Sequence, residues 1–201
     1  MKLYFSPGAC SLSPHIALRE AGVEPELVRV DLATKKLADG GDYLAINSKG
    51  YVPALQLDDG TLLTEGPAIL IYIVQNLART PLGPKEGMGL VRLVEWLNFI
   101  ATEIHKGFSP LFKPNCPQEW KAVAKENLLK RLQWVDGQLA QRTWLLGEEF
   151  SVADVYLFVC TTWTAYVQID LGQFPALARF AEKVSQRPAV QAALKAEGLK
   201  K

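Results

Sequence analysis

The 201-residue chain is 49% hydrophobic and 21% charged, an ordinary globular composition that excludes a disordered polymer. Its 22 basic and 21 acidic residues leave a formal charge of +1, without the basic excess that binding to a phosphate backbone draws on, so nucleic acid is not an expected partner. The most apolar stretches, 68–74 and 155–167, fall short of the ~20 residues a membrane-spanning helix needs, and residues 1–12 lack the apolar centre of a signal peptide, so a cytoplasmic protein is expected.

In chain order, Lys2 to Phe5 reads as a short strand, Ser11 to Ala21 as a helix closed by Gly22, and Glu26 to Asp31 as a second strand with Leu27, Val28 and Val30. A short polar helix is expected between Ala33 and Leu44. Val52 to Leu57 and Leu62 to Thr64 flank Asp58-Asp59-Gly60 as a hairpin, and Glu65 to Ala78 reads as a helix with Pro67 in its first turn. Residues 1–80 thus form a first domain of order βαβαββα. The Gly- and Pro-rich stretch 79–89 reads as a linker, and 87–201 as an all-helical bundle in which Leu128, Leu132, Val135 and Leu139 mark one buried stripe. Ser151 to Asp154 has the layout of a capping box with no catalytic role, flanked by Phe150 and Val155 as a hydrophobic staple.

The three cysteines, Cys10, Cys116 and Cys160, form no CxxC pair and no metal-ligand spacing, and with only His15 and His105 as histidines no metal site is expected. Cys10 follows Ser6-Pro7-Gly8-Ala9 and precedes the first helix, a place where the helix dipole lowers a thiol pKa. Cys10-Ser11-Leu12-Ser13 is a monothiol site, able to form a mixed disulfide but not an internal one; packing as a small hydrophobe is the alternative. Val52-Pro53 at a strand start leaves backbone groups for an extended peptide or is a plain loop proline. Glu65 and Gly66 open a helix where an amino-acid head group fits, or Glu65 only complements the helix dipole. Asn98, Thr102 and His105 recur at i, i+4 and i+7 beside the apolar Leu97, Ile100, Ala101, Ile104 and Phe108, a polar stripe suited to lining a cleft; His15 reads as structural.

Taken in order, Pro7-Gly8-Ala9-Cys10-Ser11, Val52-Pro53-Ala54-Leu55, Leu63-Thr64-Glu65-Gly66, Trp96-Leu97-Asn98 with Glu103-Ile104-His105-Lys106-Gly107-Phe108, and Phe150 to Asp154 resemble bacterial beta-class glutathione transferases over nearly the whole chain. The resemblance implies a thioredoxin-like domain that binds glutathione and a helical domain that shapes the electrophile pocket, usually in a homodimer. It implies that Cys10 faces the glutathione sulfur, Lys35 the glycine carboxylate, the Val52 backbone before Pro53 the cysteinyl amide, and Glu65 with the Gly66 amide the γ-glutamyl head. Asn98, Thr102, Glu103 and His105 are implied along the domain interface, with His105 as proton acceptor or hydrogen-bond donor to the thiol. Trp163 walls the electrophile side by the same resemblance, and Phe108, Phe112 and Tyr166 are further candidate pocket residues.

Two departures stand out. Gly66 replaces the serine of many transferases and leaves only backbone amides there, and Tyr4-Phe5 makes activation of the thiol by a strand tyrosine doubtful. The expected activity is conjugation of glutathione, as co-substrate, to hydrophobic electrophiles, with thiol-disulfide exchange or peroxide reduction through Cys10. The rivals are a reductase for which conjugation is incidental and a non-catalytic binding or storage module on the same fold.

Overall fold

The computed structural model describes residues 1–200. The chain forms two compact units, one of Met1–Leu82 together with the segment from Arg187 on, the other Gly83–Gln186.

In the first, β1 (Lys2–Phe5), β2 (Glu26–Asp31), β3 (Lys36–Leu37), β4 (Ala54–Gln56) and β5 (Leu62–Thr64) make one sheet of order β3-β2-β1-β4-β5. β1 and β2 are parallel, joined by helix α1 (Leu12–Glu20), and the other pairings are antiparallel. The registers Tyr4↔Val28 and Tyr4↔Ala54 set those three side chains on one face. There Tyr4, Val30, Tyr43, Val52 and Ala54 form a buried cluster against which Ala9 packs. This is the thioredoxin-like arrangement the element order predicts, with one local change. The helix expected over 33–44 is replaced by β3 and a single 3₁₀ turn, Tyr43–Ala45. The cause is turn chemistry: the Asp31 carboxylate accepts the amides of Ala33 and Thr34, and Lys35 takes a positive φ of 58°, both of which stop a helix from starting.

After β5, helix α2 (Gly66–Tyr72) runs on as a π-helical turn, Ile73–Leu77. The chain's last helix, α8 (Pro188–Ala196), also belongs to this unit, whereas by sequence residues 87–201 read as the helical domain. Its periodicity reveals an amphipathic helix but not the surface it packs on.

The second unit holds α3 (Gly87–Phe99), a π-helical segment Ile100–His105, α4 (Lys106–Phe112), α5 (Gln118–Leu139), α6 (Val152–Thr162) and α7 (Pro175–Ser185). Leu128, Leu132, Val135 and Leu139 are buried as their spacing predicts, facing a core that includes Leu93, Leu97, Ile104, Phe108, Val155 and Val159. The capping box is formed at the start of α6. The Ser151 amide and hydroxyl both donate to Asp154 Oδ2 at 2.8 Å, and the Leu145 amide donates to Oδ1 at 2.8 Å. Asp136 does the same work for α7, its buried Oδ1 accepting the amides of Ala176 and Leu177.

Helix α8 (Pro188–Ala196) lies against α1 and is fixed at both ends. Arg187 makes a bidentate pair with Glu20, at 2.6 and 2.9 Å. At the other end Glu197 is buried, accepting the Gly8 amide at 3.0 Å and lying 2.9 Å from His15 Nδ1, whose Nε2 in turn meets Arg19 Nε at 3.0 Å. His15 is therefore structural, as its apolar sequence neighbours predict.

Candidate active site

The sequence-predicted site residues fall into two sets, one in each domain. In the first domain a single short segment, Lys49 to Pro53, ties the set together. Val52 O accepts the Cys10 thiol at 3.2 Å, and the peptide bond that follows, Val52-Pro53, is cis. The Val52 amide has no partner among the described residues, so it is available to a peptide carbonyl.

One residue back, Tyr51 O accepts the Tyr43 hydroxyl at 2.7 Å and the Asn47 side-chain amide at 2.9 Å, which fixes the segment to the core. Gly50 O accepts Lys35 Nζ at 2.9 Å, and the same ammonium sits 5.8 Å over the Tyr51 ring. Gly50 has to be glycine: its φ is +66°, and a Cβ would come within 3.0 Å of Leu44 and 3.4 Å of Lys35. Lys49 Nζ reaches Glu65 Oε1 at 2.8 Å and Thr64 Oγ1 at 3.0 Å. Cys10, Lys35, Val52 and Glu65, far apart in sequence, are thus linked through contiguous backbone. Sequence reasoning missed Lys49, Gly50 and Tyr51, which carry no motif; only their place just before Val52-Pro53 marks them.

Cys10 is partly exposed and sits in the turn before α1, with its own carbonyl accepting the Ser13 amide and hydroxyl. Glu65 takes φ 69°, ψ 117°, a conformation a non-glycine residue adopts at a cost of order 1–3 kcal/mol. Strain of this kind collects at sites where a side chain or amide must be aimed. Gly66 then opens α2, giving the short polar N-terminus expected from the sequence. Tyr4 is turned away from the thiol's end of β1, because its hydroxyl bonds Gln56 Oε1 at 3.1 Å and Gln56 pairs with Lys2.

In the second domain His105 ends the π-helical segment. Its Nδ1 lies 2.6 Å from the Tyr156 hydroxyl, and its ring meets those of Tyr156 and Trp163 edge-on with centroids 5.9 and 4.9 Å away. Phe108 and Phe112 stack at 5.9 Å, and each meets Trp163 edge-on, at 5.6 and 6.0 Å. Three of the four predicted pocket aromatics therefore form one group with His105. Phe108 is fully buried and backs the group, while Tyr166 is 72% exposed and lies outside it.

Burial, and secondarily the charge of neighbouring Lys106, pushes the His105 pKa down to about 4, so the imidazole is neutral near pH 7. It can accept a proton or donate one hydrogen bond there, and contributes no positive potential. The rest of the expected polar stripe is dispersed. Asn98 and Thr102 are exposed, with Thr102 Oγ1 bonded to Asn98 O, and Glu103 is paired with Arg131 at 2.7 Å. The reason is the π-helical turn. An i, i+4, i+7 face assumes 3.6 residues per turn, and the wider turn rotates His105 off the line set by Asn98. Tyr156, the partner of His105, stands 51 residues away and carried no sequence signal.

A family model described as glutathione S-transferase, N-terminal domain, matches residues 8–75, and one described as glutathione S-transferase, C-terminal domain, matches residues 99–188. The chain is 49% identical to glutathione S-transferase GstA of Escherichia coli O157:H7, over the full length of both. Among solved structures, a sphingomonad glutathione S-transferase complexed with glutathione is 52% identical, with a TM-score of 0.96 and full coverage of both chains. A bacterial beta-class glutathione S-transferase of Sphingomonas chungbukensis is 48% identical, again with a TM-score of 0.96 and full coverage of both.

Proposed function

Because this chain belongs to the glutathione S-transferase family, within its bacterial beta class, we propose that it joins the glutathione thiol to hydrophobic electrophiles with the residues described above in distinct roles. The observation that carries the assignment of roles is the Lys49–Pro53 segment, which links a thiol, two cations and a carboxylate to one unpaired peptide amide.

On the first domain the tripeptide lies along that segment. The Val52 amide takes the carbonyl of its cysteinyl residue, Lys35 its glycine carboxylate, and Glu65 with the Gly66 amide its γ-glutamyl ammonium and carboxylate. The Cys10 S–H, held on Val52 O, marks where the substrate sulfur rests. On the second domain the aromatic group of Trp163 and Phe112 receives the apolar body of the electrophile, and neutral His105 takes up or steadies the thiol proton. The sulfur attacks the electrophilic carbon and a C–S bond forms. The leaving group departs with the electron pair of its bond, and the thiol proton passes to base. Conjugation needs no covalent enzyme intermediate.

Cys10 supports a second reaction. Its thiolate attacks a disulfide and expels one thiolate, and glutathione thiolate then attacks the mixed disulfide and regenerates Cys10. The protein acts in the cytoplasm as a homodimer, and the exposed Met88, Val91 and Val94 on α3 offer an apolar strip for a second copy. The test is the glutathione-dependent, saturable conjugation of a chlorodinitrobenzene by purified protein, corrected for the uncatalysed reaction. A rate no greater than background would overturn the conjugation reading. Sedimentation of the same sample as a monomer would overturn the dimer.

A further inference from the structure

The tripeptide's seat on the first domain leaves one charged side chain of the Lys49–Pro53 segment without a task, that of Lys49. Its place is set from the backbone outward. The buried Asn47 brackets the turn: its Oδ1 accepts the Lys49 amide at 3.2 Å, its side-chain amide donates to Tyr51 O at 2.9 Å, and its carbonyl accepts the Gly50 amide at 2.9 Å. From that anchored turn the Lys49 ammonium reaches the end of β5, donating to Glu65 Oε1 at 2.8 Å and to Thr64 Oγ1 at 3.0 Å. An ammonium has three N–H donors, and the third meets no acceptor among the described residues.

The charges of the ligand match this arrangement. Glutathione carries two carboxylates and one ammonium, and the segment gathers two ammonium groups, Lys35 and Lys49, and one carboxylate, Glu65. Lys35 stands for the glycine carboxylate. On the γ-glutamyl head the remaining carboxylate and the ammonium share one carbon, so their complements have to stand side by side, as Lys49 Nζ and Glu65 Oε1 do. No hydroxyl assists there. Residue 66 is glycine, and nothing beyond its chain neighbours and its own helix comes within 4 Å of where a Cβ would stand. The Gly66 amide is then one neutral donor for a full negative charge, and a charged donor bonds a carboxylate about twice as strongly. The Lys49 and Glu65 side chains are 49% and 68% exposed, so their pair contributes little to folding and yields cheaply to a ligand.

We propose that Lys49 is the cation that holds the α-carboxylate of the γ-glutamyl residue, so that Lys49 and Glu65 together read this head group as a zwitterion. The inference rests on the conjugation reading and deepens it by naming a further binding residue. Lys49 keeps its bond to Glu65 and turns its third N–H to the ligand carboxylate, while the ligand ammonium meets Glu65, closing a ring of four alternating charges.

Three thiols that differ only at the head test this. 4-Aminobutyryl-cysteinylglycine keeps the ammonium and lacks the carboxylate; glutaryl-cysteinylglycine keeps the carboxylate and lacks the ammonium; glutathione has both. Conjugation of each to a chlorodinitrobenzene is measured with the native protein and Lys49→Met, corrected for uncatalysed rates. The native protein is expected to favour glutathione over the aminobutyryl thiol by about tenfold in kcat/KM, as for one charge-assisted contact at a solvent-exposed site. Lys49→Met is expected to lose about tenfold on glutathione and on the glutaryl thiol, through KM with kcat nearly unchanged, and nothing on the aminobutyryl thiol, which has no carboxylate to lose. A loss on the aminobutyryl thiol as large as that on glutathione would overturn the proposal, by reducing Lys49 to a support for Glu65. No loss on glutathione would overturn it as well. Absence of any saturable rate with glutathione and the native protein would instead indict the conjugation reading, so the two failures are told apart.

Discussion

His105 Nδ1 and the Tyr156 hydroxyl share a hydrogen bond of 2.6 Å across 51 residues of sequence, and that bond orients the one imidazole available to the second domain's aromatic group. Tyr156→Phe keeps the ring and its edge-on packing but removes the hydroxyl. The expected result is a fall in kcat of about tenfold with KM for glutathione nearly unchanged, because the tripeptide contacts lie on other residues. Steady-state kinetics with glutathione and the electrophile varied in turn would show it.

Two buried groups make stability depend on pH in opposite directions. Burial holds His105 down at about 4, so the unfolded chain takes up its proton first and stability falls as pH drops from about 6.5 toward 4. Burial raises Asp154 to about 6 despite its hydrogen bonds, so the folded state holds its proton longer and stability falls as pH rises from about 4 to 6. Each effect is of order 3 kcal/mol, and over the shared window they offset. Urea unfolding across pH 4–7 is expected to show His105→Gln gaining on the native protein as pH falls, and Asp154→Asn gaining as pH rises. Parallel curves for all three would remove both assignments.

Asp154→Ala tests the helix cap itself. It strands the buried amides of Leu145 and Ser151, and the expected loss is about 3 kcal/mol or more, read at pH 7 as a lower denaturation midpoint with unchanged slope.

Glu65→Gly should separate function from stability. Glycine accepts φ 69° without strain, so unfolding free energy is expected to hold or to rise by about 1 kcal/mol, while KM for glutathione rises at least tenfold. A variant that lost stability would show that the Lys49 pair outweighs the backbone strain.

Cys10→Ala is expected to abolish thiol-disulfide exchange and leave conjugation within about tenfold, since the substrate sulfur supplies the conjugating nucleophile. Assaying one preparation for both reactions decides it. Retained exchange would remove Cys10 from that role, and loss of both would favour the reductase reading.

How much of this was legible beforehand differs by residue. The strands, α1, the hairpin and the capping box announce themselves because local chemistry decides them: alternation around Leu27 and Val30, an Asp-Gly turn, and a serine three residues before an acid. Cys10, Val52, Pro53 and Glu65 stand out in the sequence because each lies just before an element begins. The helix expected over 33–44 does not form because the Asp31 side chain captures the amides that would start it. His105 packs against Tyr156 and Trp163 while Asn98 and Thr102 are exposed, because a π-helical turn leaves no mark in residue spacing. Lys49 and Tyr156 act through contacts made only by tertiary structure.

The seating of α8 on α1 bears on how the chain is made. A polypeptide leaves the ribosome from its N-terminus, and domains tend to close as they emerge. Here the first domain is discontinuous, and the Gly8 amide, two residues from Cys10, donates to the carboxylate of Glu197, which is made only after the helical domain. The sheet can assemble early, but the loop bearing the thiol reaches its final form last, after the whole helical domain has been synthesised. A nascent chain therefore carries the Cys10 turn without its Glu197 contact until the helical domain has emerged, and a change at Glu197 acts on the opposite end of the sequence.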